Sequence, residues 1–147
     1  MKKLIFLIAL LIPMIASAQW ESHYVAGDEL KGVSEHYANI YHDAYGNYFV
    51  YWTNGNDIKI STKSGIFNYN NYHGVSAIVG FYDGDALVEK QNVTMYVPTG
   101  DSDTAYNVED DFGKKVIEHL NNVGAVRFII PKYSGADFDM KIPKRKK

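Results

Sequence analysis

The chain has 147 residues, 15 Lys plus Arg against 17 Asp plus Glu, and no cysteine. The missing cysteine excludes disulfide staples, thiol catalysis and thiolate metal sites, so any core must hold by packing alone. Charge is unevenly spread: residues 19 to 140 carry 8 basic against 17 acidic side chains, while the last seven, KIPKRKK, carry five positive charges. An acidic body repels phosphate over most of its surface and argues against nucleic acid as a partner.

Lys2 and Lys3 precede an apolar run from Leu4 to Ile15 that ends in Ala16-Ser17-Ala18. This order predicts a cleavable secretory signal over residues 1–18, cut after Ala18. The alternative, a membrane anchor, needs about 20 apolar residues, and the run is well short of that. A lipidated N-terminal cysteine is excluded by composition. The expected product begins at Gln19, is periplasmic or secreted, and has no stable membrane insertion. Its 129 residues suffice for one core, read as a single domain over 19–142 with a basic tail, 143–147, expected to be frayed and solvated.

From Trp20 onward, short runs rich in Val, Ile, Tyr and Phe alternate with Gly, Asn and Asp clusters, a mainly β pattern. Strands are predicted at Trp20 to Ala26, Glu35 to His42, Asn47 to Thr53, Asp57 to Thr62, Gly74 to Tyr82, Ala86 to Lys90, Asn92 to Val97, Val126 to Pro131 and Asp137 to Ile142. Alternation is clearest in FDMKI, where Phe138, Met140 and Ile142 share one face. Asn54-Gly55 predicts a tight hairpin turn, with weaker turns at DAYGN and YDGDA. Val108, Phe112, Val116, Leu120 and Val123 recur at helical spacing, with Ile117 widening the stripe, which predicts one amphipathic helix over about 109–122. Asn107 with Asp110 resembles a capping box, and Gly124 a C-terminal stop. The expected architecture is an antiparallel β-sandwich with one helix.

In HYANIYHDAYGNYFVYW the two hairpin arms are partly apolar on both faces, so Tyr37, Tyr41 and Trp52 are candidates for an aromatic outer surface. The Asp-Glu-Leu-Lys-Gly segment, the HYANIY strand, the GNYFVYW hairpin and the late series VIEHLNNVGAVRFIIP…FDMKIP together resemble the invasion-associated locus B family of small exported proteins. The resemblance covers the element order of most of the mature chain. It implies a β-sandwich with one helix and a role outside the cytoplasm, and brings no catalytic motif to carry across. The absence of cysteine and the basic tail depart from the family pattern.

Nucleophile motifs are poor: no Gly-x-Ser-x-Gly occurs, and STKSG reads as a polar strand end. His36 and His42 lie ~20 Å apart along one strand, too far to share an ion, whereas His23, His42 and His73 could converge only through the fold. GDSDTAYNVEDD hints at calcium but lacks the spacing and central Gly of a calcium loop. No metal or cofactor is predicted. Asp103-Thr104-Ala105 matches a short acceptor for O-linked glycans, which places that loop at the surface. Any carboxylate pair for sugar cleavage needs a cleft that a small sandwich has little room for.

FNYNNYHG is the best functional candidate, because aromatics interleaved with asparagines give rigid contact area and adaptable hydrogen bonds. Tyr69, Asn70, Asn71, Tyr72 and His73 are the expected contacts, with Tyr37, Tyr41 and Trp52 as expected neighbours in the same binding surface, against the reading that the loop packs on its own domain. The sequence points to a non-catalytic exported protein that binds a glycan or a protein. The alternatives are a structural subunit of an envelope or phage-related assembly and, third, a hydrolase of surface polymers.

Overall fold

The computed structural model of the chain describes residues 19–146; the signal-peptide reading falls on residues 1–18, outside them. Among the described residues nine strands and one helix follow in the order β1 (Gln19–Val25), β2 (His36–His42), β3 (Tyr48–Trp52), β4 (Ile58–Ser61), β5 (Gly74–Asp83), β6 (Ala86–Tyr96), β7 (Thr104–Asn107), α1 (Asp110–Asn122), β8 (Val126–Ile130) and β9 (Phe138–Ile142). Among the described residues no helix is long and apolar enough to cross a membrane.

All the strands join one antiparallel sheet, in the order β1-β2-β3-β4-β7-β6-β5-β8-β9. The sheet curls until its halves face each other. Phe49 of β3 and Phe128 of β8 meet with ring centroids 6.2 Å apart, although four strands separate them in the ladder. The two facing layers expected of a sandwich are thus halves of one continuous sheet. Alternation drives this burial: Phe138, Met140 and Ile142 point in at 2% exposure or less, and β8 and β5 repeat the pattern.

The edges β1 and β9 approach without a ladder, and the tail closes the seam. Trp20 Nε1 donates to the carbonyl of Pro143 at 3.1 Å, Arg145 donates to Ser22 Oγ at 3.3 Å, and the Arg145 N–H donates to the Leu120 carbonyl at 2.8 Å. The expected frayed tail is therefore docked as far as Arg145, which also satisfies a carbonyl of the last helical turn.

The helix closes one end of the curled sheet through Phe112, Val116 and Leu120, with Ile117 packed beside them. The stripe is shorter than its periodicity suggested, since Val108 and Val123 are exposed. The capping box does not form. Glu109 is the N-cap without a side-chain bond, and the Asn107 amide instead donates to Asn56 and Glu109 carbonyls and accepts the Ile58 N–H. Gly124 serves by its small size: a Cβ there would fall 2.2 Å from the Tyr82 carbonyl oxygen.

Turn chemistry also departs from expectation. The β3–β4 hairpin exists, but its ladder opens at Tyr51 and Ile58, and neither Asn54 nor Gly55 has positive φ. The tight turn is Gly84-Asp85, with Gly84 at φ +59 between the paired Asp83 and Ala86. Two further differences are that the strands expected on either side of Gln91 are one strand, β6, and that β7 lies in the segment read as an acidic loop.

Candidate recognition surface at the loop end

Because every neighbour is antiparallel, the connections collect at two ends of the sheet. One end holds the β1–β2, β3–β4 and β5–β6 turns and is closed by the helix. The other gathers four segments: 43–47, 62–73, 97–103 and 131–137. Their composition is Tyr, Asn, Ser, Gly and Asp, that of recognition loops.

Three of these loops each carry one strongly exposed tyrosine. Tyr45, Tyr72 and Tyr133 are 82%, 89% and 74% exposed, more than any other tyrosine among the described residues. Local hydrogen bonds set two of them in place. Asp43 Oδ1 accepts the N–H groups of Tyr45 and Asn47, both at 2.9 Å, and Gly46 at φ +83 completes the turn. Asn70 Oδ1 accepts the N–H groups of Tyr72 and Gly74, at 2.9 and 3.0 Å. Tyr133 is held by its own N–H, which donates to the Ile66 carbonyl at 2.9 Å beside the Phe67–Lys132 bridge. Phe67 is fully buried edge-on against Phe138, so the segment is anchored beneath the exposed rings.

The residues expected to bind divide accordingly. Tyr72 is at the surface, and Asn71 beside it is exposed. Asn70 shapes the turn. Tyr69 is half-buried: its ring stacks on His73 with centroids 5.2 Å apart, and its hydroxyl lies 3.4 Å from Ser102 Oγ. His73, at φ +60, has Nδ1 3.1 Å from the Val97 carbonyl oxygen. Tyr69 and His73 therefore support the loop from below.

Tyr37, Tyr41 and Trp52 are not neighbours of this loop. On β2 the tyrosines face inward and the histidines outward. Tyr41 is 7% exposed against Trp20, and its burial pushes the phenol pKa up. Tyr37, half-exposed, packs edge-on against Tyr24 at the helix end of the sheet. Trp52 pairs with Ala38 on the outer face at that same end. The aromatic outer surface expected of this hairpin is therefore carried by Tyr48 and Trp52 and not by Tyr41, because both faces are partly apolar and Trp20 claims the Tyr41 face for the core.

Tyr45 and Tyr133 were missed by sequence reasoning, although DAYGN and KYSGAD repeat the Asx, Gly and Tyr composition of FNYNNYHG. Each stands on a separate loop, and only the strand order brings them to one end.

Two open depressions adjoin on the outer face below these loops. One, about 440 Å³, is lined by Tyr48, Lys59, Lys63, Asp101, Asp103 and Thr104. The other, about 560 Å³, is lined by Glu21, His42, Asp43, Tyr45 and again Lys63, with Gly46 common to both. Within the second, Glu21 Oε2 lies 3.1 Å from His23 Nε2 and 3.8 Å from His42 Nε2. Hydrogen bonds from His23 and then Gln19 hold its carboxyl below the usual range. His73 belongs to another loop, so the three histidines do not converge. Among the described residues no group of three His, Asp or Glu has metal-holding geometry.

The GDSDTAYNVEDD segment is divided by β7, which leaves Asp101 and Asp103 at the loop end and Glu109 to Asp111 at the helix start. Thr104 is buried, its hydroxyl 2.9 Å from Ser61 Oγ, so the acceptor-like triplet does not present its hydroxyl to a modifying enzyme. No family model, curated protein or solved structure matches the chain.

Proposed function

We propose that this is a non-catalytic binding protein acting outside the cytoplasm, which contacts its partner through the loop end of the curled sheet. The observation that carries this reading is the placement of Tyr45, Tyr72 and Tyr133 on three separate loops at one end, each exposed over an anchored base. Tyrosine supplies large, rigid contact area at low entropic cost, and the surrounding Asn, Ser and Gly supply adaptable hydrogen bonds. A sheet closed at its other end by a helix gives these loops a fixed platform. The test is cross-linked capture from the envelope fraction by wild type and by the Tyr45→Ala, Tyr72→Ala, Tyr133→Ala variant. Capture that disappears in the variant supports the reading, and equal capture overturns it.

One observation favours a second reading, an assembly subunit. Strand β6 pairs with β7 only at Met95 and Tyr96, so Ala86 to Thr94 have a strand neighbour on one side alone. Such an edge is a template for strand addition, although Lys90 in its middle is the kind of residue that discourages it. Light scattering over a range of concentrations separates the two: a concentration-dependent multimer favours assembly.

A further inference from the structure

We propose that the two adjoining depressions form one groove that accepts a short uncharged oligosaccharide, with Tyr45 as its stacking platform and Lys59, Lys63, Asp101 and Asp103 as its hydroxyl-binding set. This rests on the loop end being the recognition surface and names the ligand class that part of it takes.

Continuity comes from Gly46. It stands between the depressions together with Lys63, and it has no side chain to divide them; a Cβ there would lie 2.8 Å from Lys63 Cδ and would sit on a backbone with φ +83. The trough therefore runs open from Tyr45 to Thr104, along the outer ends of β3, β4 and β7. An open, elongated trough suits a chain of rings better than a compact ligand, which needs enclosure on most sides.

Charge selects the class. Two ammonium groups and two carboxylates line the Tyr48 half of the groove, and among the described residues none of the four is in an ion pair. Asp103 Oδ1 accepts the Thr104 hydroxyl at 3.2 Å, which leaves its other oxygen free, while Lys59 lies over the Tyr48 ring at 5.4 Å. In this half an anionic or cationic polymer would meet as much repulsion as attraction, and the two carboxylates of the Tyr45 half are already engaged, Glu21 by His23 and Asp43 by the N–H groups of Tyr45 and Asn47. A sugar hydroxyl both donates and accepts, so it can bridge a carboxylate and an ammonium at once, and hydrogen bonds to charged groups are the stronger kind.

The floor is polar and already satisfied, since Ser61 and Thr104 bond each other at 2.9 Å, so no buried group is left to demand a specific partner. At the far end Tyr45 offers an exposed ring, whose negative face attracts the apolar, weakly positive C–H side of a pyranose.

The experiment is a titration of the isotope-labelled exported protein with short neutral gluco-, manno- and galacto-oligosaccharides, and with oligogalacturonate as the anionic counterpart. A neutral oligosaccharide is expected to shift the backbone signals of Gly46, Lys63, Asp101 and Asp103. Tyr45→Ala and Asp101→Asn should each weaken that binding about tenfold, equivalent to ~1.4 kcal/mol, with melting temperature unchanged as the folding control. Preference for oligogalacturonate, or shifts confined to residues outside the groove, overturns the assignment. If no oligosaccharide perturbs the groove while envelope capture still depends on Tyr72 and Tyr133, the groove assignment fails and the loop-end reading stands. If capture is independent of the tyrosines as well, both fail.

Discussion

The side-chain oxygen of Asn70 accepts the backbone N–H of Tyr72 at 2.9 Å, and Asp43 holds Tyr45 in the same way at the same distance. In both loops a short polar side chain two residues upstream fixes the turn that lifts a tyrosine into solvent. Asn70→Ala removes the acceptor for two N–H groups and should cost about 1 kcal/mol. Asn70→Asp keeps the oxygen and should cost less. Thermal melts of the two variants measure the difference, and equal losses would show that the turn does not depend on this acceptor.

Tyr69 and Tyr72 sit three residues apart and should behave oppositely. Tyr72 is 89% exposed, so Tyr72→Ala should stay within about 0.5 kcal/mol of wild type. Tyr69 packs on His73 and against the core, and Tyr69→Ala should cost roughly 2 kcal/mol or more. Denaturant unfolding of the single variants distinguishes them.

Gly113 lies inside the helix, where glycine is ordinarily a liability, yet Ala there would place its Cβ 1.8 Å from the Asn56 carbonyl oxygen. Gly113→Ala should therefore destabilise by about 2 kcal/mol or more, despite the better helix propensity of Ala. A stabilised variant in the same unfolding assay would mean that the helix start does not rest on the β3–β4 turn.

Arg127 grips Asp139 with two hydrogen bonds, Nε to Oδ1 at 2.8 Å and Nη2 to Oδ2 at 2.6 Å. The guanidinium holds the Asp139 carboxyl below its ordinary range, against the opposing effect of burial. A depressed carboxylate contributes stability that is full above its unfolded pKa of about 3.9 and is lost as pH falls through the folded value. Both side chains are more than a third exposed, so solvent screening limits the contribution to roughly 1 kcal/mol or less. Melting temperature followed from about pH 6 down to pH 2 should fall less steeply in Asp139→Asn than in wild type.

Much of the architecture was legible because its signals are local. FDMKI alternates by itself, and Phe112, Val116 and Leu120 mark a helix face without reference to the rest of the chain. What failed was non-local. Tyr41 and His42 are adjacent on a strand with two half-apolar faces, and only the seating of Trp20 decides which goes inside. Arg145 looked like part of a free tail, since its partners, Leu120 and Ser22, lie far away in the chain. Thr104 to Asn107 is too short and too polar to announce a strand, and it pairs only because β4 and β6 flank it. The candidate site was half visible for the same reason. FNYNNYHG stood out by composition, but its union with Tyr45 and Tyr133 depends on a strand order that composition does not encode.

The central claim, that the loop end makes the contact, is tested most directly by chemical footprinting of tyrosines in the free protein and in its cross-linked envelope complex. In the free protein Tyr45, Tyr72 and Tyr133 should react fastest, and the buried Tyr41 and Tyr51 should stay protected. On complex formation those three should become protected together, while Tyr24 and Tyr37 at the helix end keep their reactivity. The contrary result, unchanged labelling of Tyr45, Tyr72 and Tyr133 with protection of Tyr24 and Tyr37, would place the contact at the other end of the molecule and contradict the account.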